Sequence, residues 1–301
     1  MIYDPIVRRA LQWLSPPGES ARLNILIFHR VLAEPDPLFP SELDSARFDA
    51  IVSWLAQWFN ILPLQKAVER LIDGNLPSRT ACITFDDGYA DNVTTALPVL
   101  KKYGVPATFF IATGYLNGGR MWNDIIIEAV RSAQSQRIDA RSLGGGQLPI
   151  KTISEKRRAI GELIQLVKYR DVKERDDIAA GINEQCRANL PDSPMMDDAG
   201  VLELYESGMG VGAHTVDHPI LSLCDDDEAI RQICESREYL QELVGDEVCL
   251  FAYPNGKPGI DYRLDQVHLV EKLGFTAAVS TAPGASGKGD NLFQLRRFTP
   301  W

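Results

Sequence analysis

A chain of 301 residues is long enough for one large single-core domain or two ordinary ones, since a single core stops growing near ~250–300 residues. Its composition, 45% hydrophobic, 24% charged and 8% aromatic, excludes a disulfide mini-scaffold, a collagen-like chain and a disordered one. With 41 acidic against 31 basic residues the formal net charge is −10, and no local basic patch is large enough to suggest a nucleic-acid partner.

Residues 1–14 carry Asp4, Arg8 and Arg9 and so lack the uninterrupted apolar run of ~7–15 residues that a signal peptide needs. They read as a short amphipathic helix with Ile6, Ala10, Leu11 and Leu14 on one side, ended by Pro16, Pro17 and Gly18. Such a helix packs on the domain or touches a membrane surface peripherally. No stretch approaches the ~20 apolar residues of a membrane span. The lack of a signal-peptide pattern makes the expected location cytoplasmic, at the inner membrane face if the helix engages lipid. The five cysteines (Cys82, Cys186, Cys224, Cys234, Cys249) include no C-x-x-C pair and read as buried free thiols in a reducing compartment.

Further along, short apolar runs alternate with amphipathic helices. Strands are expected at residues 23–29, 60–63, 81–85 and 105–112, with helices at 45–59, 64–72 and 92–103 between them. Ser45 is expected to cap the first of these helices, and Gly74 and Gly104 to close the other two. Over residues 115–205 the strand signal disappears and the chain reads as a helical insertion, broken by Gly144, Gly145 and Gly146. Strands return at 209–213, 248–253, 276–280 and 292–298, with a helix at 225–244. This is an α/β pattern of the barrel type, in which chemistry gathers at the C-terminal ends of the strands. The expected organisation is an N-terminal helix and linker over residues 1–22 and one barrel domain over 23–301, with the insertion at about 115–205.

Two constellations stand at strand ends. Asp86-Asp87-Gly88 follows the strand at 81–85; it is either an ordinary turn or a pair of carboxylates that needs a cation nearby. His214 and His218 use half of the chain's four histidines, and on a helical turn residues four apart face the same way. With one of the two carboxylates they make a two-His, one-carboxylate set with positions left for water and substrate.

Thr84-Phe85-Asp86-Asp87-Gly88, His214-Thr215-Val216-Asp217-His218 and Phe251-Ala252-Tyr253-Pro254-Asn255-Gly256 resemble, in order, the first three motifs of the polysaccharide deacetylase family, the NodB-homology or carbohydrate esterase family 4 domain. The resemblance covers roughly residues 23–299, with 115–205 poorly matched. It implies a distorted (β/α)7 barrel with a helical insertion and metal-dependent hydrolysis of an N-acetyl group on an amino sugar, in exopolysaccharide or cell-envelope glycan metabolism. By motif position, Asp86 is the implied general base, and Asp87, His214 and His218 the ligands of one divalent cation, zinc first and cobalt, nickel or iron after it. Backbone N–H groups near Tyr253 and Asn255 are expected to meet the oxyanion; Pro254 has none to give, and Gly256 permits the turn.

The chain departs from the family pattern twice. Ala252 stands where the third motif carries an arginine, and the late Leu-x-His motif is replaced by Leu295-Arg296-Arg297. Phe28-His29-Arg30-Val31 resembles instead the branch that includes poly-N-acetylglucosamine deacetylases, in which the acid histidine comes from an N-terminal motif. His29 is thus the expected general acid and Arg297 the substitute for the lost arginine, orienting Asp86. In a barrel the first and last strands are neighbours, which makes both assignments geometrically reasonable. Trp122, Tyr89, Asn117 and Trp301 are candidates to line a sugar groove, and His268 reads as structural. The alternatives are a metal-independent imidase or amidohydrolase on the same fold, and a glycan-binding module with a decayed site.

Overall fold

A computed structural model describes residues 4–300; Trp301 lies outside the described residues. Its strands are β1 (Asn24–Phe28), β2 (Asn60–Ile61), β3 (Thr80–Phe85), β4 (Thr108–Ile111), β5 (Arg137–Asp139), β6 (Gln147–Pro149), β7 (Gly210–Ala213), β8 (Leu250–Ala252), β9 (Ala277–Val279) and β10 (Arg297–Phe298). The helices are α1 (Asp4–Leu14), α2 (Ser45–Trp58), α3 (Leu64–Asp73), α4 (Leu97–Tyr103), α5 (Trp122–Arg131), α6 (Ile153–Val167), α7 (Val172–Cys186), α8 (Asp198–Glu206), α9 (Asp226–Val244) and α10 (Leu264–Lys272).

Seven parallel strands run in the order β10, β1, β3, β4, β7, β8, β9, with β2 added beside β3. The last segment nearly closes the sheet into the expected distorted (β/α)7 barrel. Leu295 bridges to Val279 of β9, and two residues later Arg297 pairs with Ile25 of β1. Every residue of β3 is buried, as a strand covered on both faces requires. Phe28, Phe85 and Phe109 stack across β1, β3 and β4 at centroid distances of 5.3 and 4.8 Å. The surrounding helices are capped locally: Asp44, not the expected Ser45, caps α2, since its carboxylate accepts the Arg47 N–H at 2.9 Å and Ser45 is already the first helical residue. Asp225 accepts at 2.9 Å in the same way, and Gly74, Gly104 and Gly245 end helices in the left-handed conformation.

Several expectations need correction. Residues 292–294 form a 3₁₀ turn, so only the end of the expected strand at 292–298 enters the sheet. The helix at 92–103 begins as a π-turn, because Pro98 has no N–H to continue a regular ladder into that turn. Strands do not vanish from 115–205: β5 and β6 pair antiparallel around the three glycines. This region has its own hydrophobic cluster, including Ile126, Ile138, Leu148, Ile160 and Ile182. On α1 the apolar side chains Ile6 and Leu14 are 64% and 65% exposed, and Trp13 82%; Val7 and Leu11 turn partly inward. All five cysteines are free, Cys82, Cys186 and Cys249 buried and Cys224 and Cys234 half-buried. Among the described residues no helix is long and apolar enough to cross a membrane.

Candidate active site

The site is built where β1, β3, β7 and β8 end. The Asp86 N–H donates to Phe28 O at 3.0 Å, extending the β1–β3 ladder by one residue, and Asp87 then takes a left-handed φ of +79°. Gly88 follows at φ +94°; a Cβ there would lie 3.2 Å from the Ile111 side chain. Thr215, His218 and Asn255 also have positive φ, so four of the seven such non-glycine residues among those described fall in the three sequence motifs. Backbone strain of this kind persists only where surrounding contacts hold it.

His214 and His218 do not share a helical turn, which corrects the expectation. They lie in an irregular loop after β7, and the left-handed residues Thr215 and His218 bring their rings to a centroid separation of 4.9 Å. His214 Nδ1 donates to Ala252 O at 2.7 Å; because a carbonyl only accepts, the proton is on Nδ1 and the Nε2 lone pair is left facing Asp87. Nε2 of each histidine lies 3.4 Å from Asp87 Oδ1. The three ligand atoms fall within 4.8 Å of one another, and two imidazole nitrogens and a carboxylate oxygen converging in this way fit a divalent cation. Ala252 thus contributes a carbonyl that orients a ring, where the family pattern places an arginine two residues before the proline.

The histidine loop is tied from three directions. Gln232 of α9 accepts from the Val216 and Asp217 amides at 3.1 and 2.8 Å, and its own amide donates to Asp217 Oδ2 at 2.6 Å. The Tyr115 hydroxyl donates to Asp217 O at 2.9 Å. Arg175 of α7, 1% exposed, donates to His218 O at 3.2 Å, and its guanidinium lies 5.5 Å from the Trp122 ring centre.

Asp86 is gripped by Arg297. Nη1 reaches Oδ1 and Nη2 reaches Oδ2, each at 2.7 Å, while the guanidinium also donates to Ser280 O at 2.8 Å and Thr84 Oγ1 at 3.3 Å. Burial pushes the Asp86 carboxyl up, but Arg297 and then His214 more than offset it and leave it below the usual carboxylate range. Asp87 is likewise lowered: burial pushes it up, and the two imidazoles beside it outweigh that effect. The imidazoles go opposite ways: burial pushes His218 down to about 3, whereas for His214 the adjacent carboxylates Asp87 and Asp86, which favour the protonated ring, exceed the burial effect and raise it.

These groups open into a cleft of about 270 Å³ lined by His29, Asp86, Asp87, His214, His218 and Asn255. Its outer wall is supplied by Trp122 and Asn123 of α5 and by Gln165 and Lys168 around the end of α6. Asn123, Gln165 and Lys168 carried no signal in the sequence, because their approach to the barrel mouth depends on how the inserted helices dock. Of the expected groove residues, Trp122 lines this cleft and Tyr89 an adjoining one; Asn117 instead pairs with Asp198 at 3.0 Å on the surface. His268 is on the exposed side of α10, 3.9 Å from Glu271.

The third motif is divided. The Tyr253 amide donates to Val279 O at 3.3 Å, and its ring stacks on Tyr262 at 3.8 Å inside the core, so Tyr253 has no N–H for the cleft. This corrects the expected role and follows from β8 running one bond further into its ladder. Pro254 is buried behind the turn. Asn255 lines the cleft at φ +59°, its own carbonyl held by Thr281 Oγ1 at 2.9 Å; among the described residues its amide N–H donates to no protein acceptor.

Barrel and site together are those of a hydrolase, and the comparisons name its kind. A sequence profile of polysaccharide deacetylases matches residues 73–140 and 179–278, more than half of the chain, and the chain belongs to that family. YxkH of Bacillus subtilis (strain 168), a protein assigned to the same group, is 22% identical over 281 residues, 93% of this chain and 71% of YxkH. The poly-β-1,6-N-acetyl-D-glucosamine N-deacetylase of Staphylococcus epidermidis is 32% identical over 112 residues, 33% of this chain and 38% of that protein. Among solved structures, IcaB from Ammonifex degensii superposes with a TM-score of 0.63 at 20% identity, covering 95% of this chain and 93% of that one. The Streptococcus pyogenes deacetylase PplD, in complex with acetate, gives 0.60 at 19% identity over 93% and 92%. At these identities the structural likeness speaks for the fold.

Proposed function

We propose that the chain removes N-acetyl groups from a polymer of N-acetylated amino sugar, with poly-β-1,6-N-acetylglucosamine the first candidate, and that its cofactor is a divalent cation, zinc before cobalt, nickel or iron. The observation that carries this reading is the convergence of Asp87, His214 and His218 beside an arginine-gripped Asp86 in one cleft. Asp87 and the Nε2 atoms of His214 and His218 would hold the cation. Such a cation supplies Lewis acidity toward the acetyl oxygen and toward the attacking water.

The remaining work falls to the chain's own groups. Asp86, kept ionised and in one orientation by Arg297, takes the proton of the attacking water. The Asn255 N–H donates to the oxygen on which negative charge develops. His29, at the mouth of the cleft one residue after β1, gives a proton to the leaving amine. Trp122 offers an aromatic face to a sugar ring. The exposed Trp13 and Leu14 on α1, with Arg9 on the same helix, support a peripheral contact with a membrane surface.

Metal content and acetate release from poly-β-1,6-N-acetylglucosamine fragments and chitooligosaccharides test the reading. Bound metal and acetate release that both vanish on chelation are the expected result. Release that survives chelation would make this a metal-independent amidohydrolase; glycan binding without release would make it a binding module.

A further inference from the structure

Beside the reaction cleft lies a second cavity of about 250 Å³, whose wall shares His29, Asp87 and Asn123 with the first. Its buried lining includes Asp124 of α5, 4% exposed, and Tyr89, 3% exposed, whose hydroxyl donates to Asp124 Oδ2 at 3.2 Å. Most other charges around this cavity are satisfied within the chain. Arg131 holds Asp36 through two bonds of 2.9 and 2.6 Å and reaches Glu128 at 3.1 Å. Arg30 holds Asp91 at 2.8 Å, with its guanidinium 4.6 Å from the Tyr89 ring centre. Asp124 differs: among the described residues its hydrogen-bond donor is the neutral Tyr89 hydroxyl, and no lysine, arginine or histidine lies at ion-pair distance. Burial pushes this carboxyl up to about 7 against the pull of Arg30. Such a carboxyl stays neutral by keeping its proton or ionises when a cation arrives beside it, and Asp124 lines a cavity open to a ligand that would bring one.

We propose that this cavity is a subsite for an amino sugar whose nitrogen is already free, the ammonium of a glucosamine unit facing Asp124 while the N-acetylated unit bonded to it occupies the cleft. The proposal rests on the reading of the cleft as the site of an amino-sugar deacetylase. The two cavities share three wall residues and so adjoin, as neighbouring units of one sugar chain require. Each turnover makes such an amine, so recognition of the chain strengthens next to units already processed.

The test compares β-1,6-linked disaccharides and trisaccharides of N-acetylglucosamine, fully acetylated or with one nitrogen freed at each position in turn, on the metal-loaded chain. One mono-amine isomer should exceed its fully acetylated parent about tenfold in kcat/KM, mainly through KM, the scale of one hydrogen bond to a charged group. In Asp124→Asn, which can still accept from Tyr89, that ratio should fall to about one. Equal or lower kcat/KM for every mono-amine isomer in the wild type, or a preference that survives in Asp124→Asn, would overturn the proposal. Calorimetric titration with the β-1,6-linked glucosamine disaccharide decides the same point without turnover: binding about tenfold weaker in Asp124→Asn supports the subsite, and equal binding removes it. Absence of acetate from every substrate would count against the reading of the cleft and leave the binding comparison to judge the subsite.

Discussion

Arg297 and Asp86, 211 positions apart, meet in a two-pronged pair with both bonds at 2.7 Å and the side chains 0% and 3% exposed. Pairing β10 with β1 brings them together, since Arg297 stands opposite Ile25 and Asp86 bonds back to Phe28 at the other end of the same strand. Removing one partner of a buried pair leaves the other charge uncompensated, at a cost of about 3–5 kcal/mol. Arg297→Ala should therefore lower unfolding stability by that order. Combining it with Asp86→Ala should cost less than the sum of the two single changes; strict additivity in urea unfolding would show that the pair is not energetically coupled.

Asp86→Asn keeps the shape of the side chain but cannot accept the proton of water. Turnover should fall by about 10²–10⁴ with metal content unchanged. If metal is lost instead, the two adjacent carboxylates have exchanged roles.

His214→Ala and His218→Ala should each lower metal occupancy and activity together. Arg175 meets the histidine loop at backbone carbonyls, those of His218 and Asp217, and so fixes that loop from the inserted α7. Arg175→Met should weaken zinc binding about 10–100-fold in equilibrium dialysis, as loss of a supporting contact around a metal does. Unchanged affinity would mean that Gln232 and Tyr115 suffice to hold the loop.

Asp124 makes a pH prediction that needs no metal. Below ~4 the folded and unfolded states both carry its proton; from there up to about 7 the unfolded chain releases it and the folded one retains it, so its contribution to stability falls as pH rises and then levels off. The groups acting on it are Tyr89, Arg30, Asp87 and Arg120. Asp124→Asn should thus gain stability relative to the wild type between about pH 4.5 and 7, read as a growing difference in urea midpoints. A constant difference across that range would place the carboxyl in the ordinary range.

His29→Ala should cut the rate of acetate release by about 10²–10⁴ while leaving metal content alone. A loss under tenfold would take the proton of the leaving amine from another source, water included.

Much of this site was legible along the chain. Strand ends announce themselves by apolar runs that stop at Asp86 and His214, and the candidate metal donors Asp87, His214 and His218 lie within short motifs whose spacing survives in any register. What the motifs could not convey is which backbone atoms remain free. Tyr253 and Asn255 are two residues apart, yet the sheet consumes the first amide and leaves the second facing the cleft. Local spacing also suggested a helical turn for the histidines, where the tertiary contacts of Gln232, Tyr115 and Arg175 hold an irregular loop instead.

The sequence by itself determined the alternating strands and helices, the metal-type donor set and the family, because these depend on periodicity and on residues close together in the chain. Only the tertiary structure decided that Arg297 grips Asp86, that α5 and α6 wall the cleft with Trp122, Asn123 and Gln165, and that Asp124 sits in a second cavity beside it. Those relations come from burial summed over a cluster such as Ile126, Ile160 and Ile182 and from the near-closure of the barrel, free energies spread over many distant residues and carried by no single stretch of the chain.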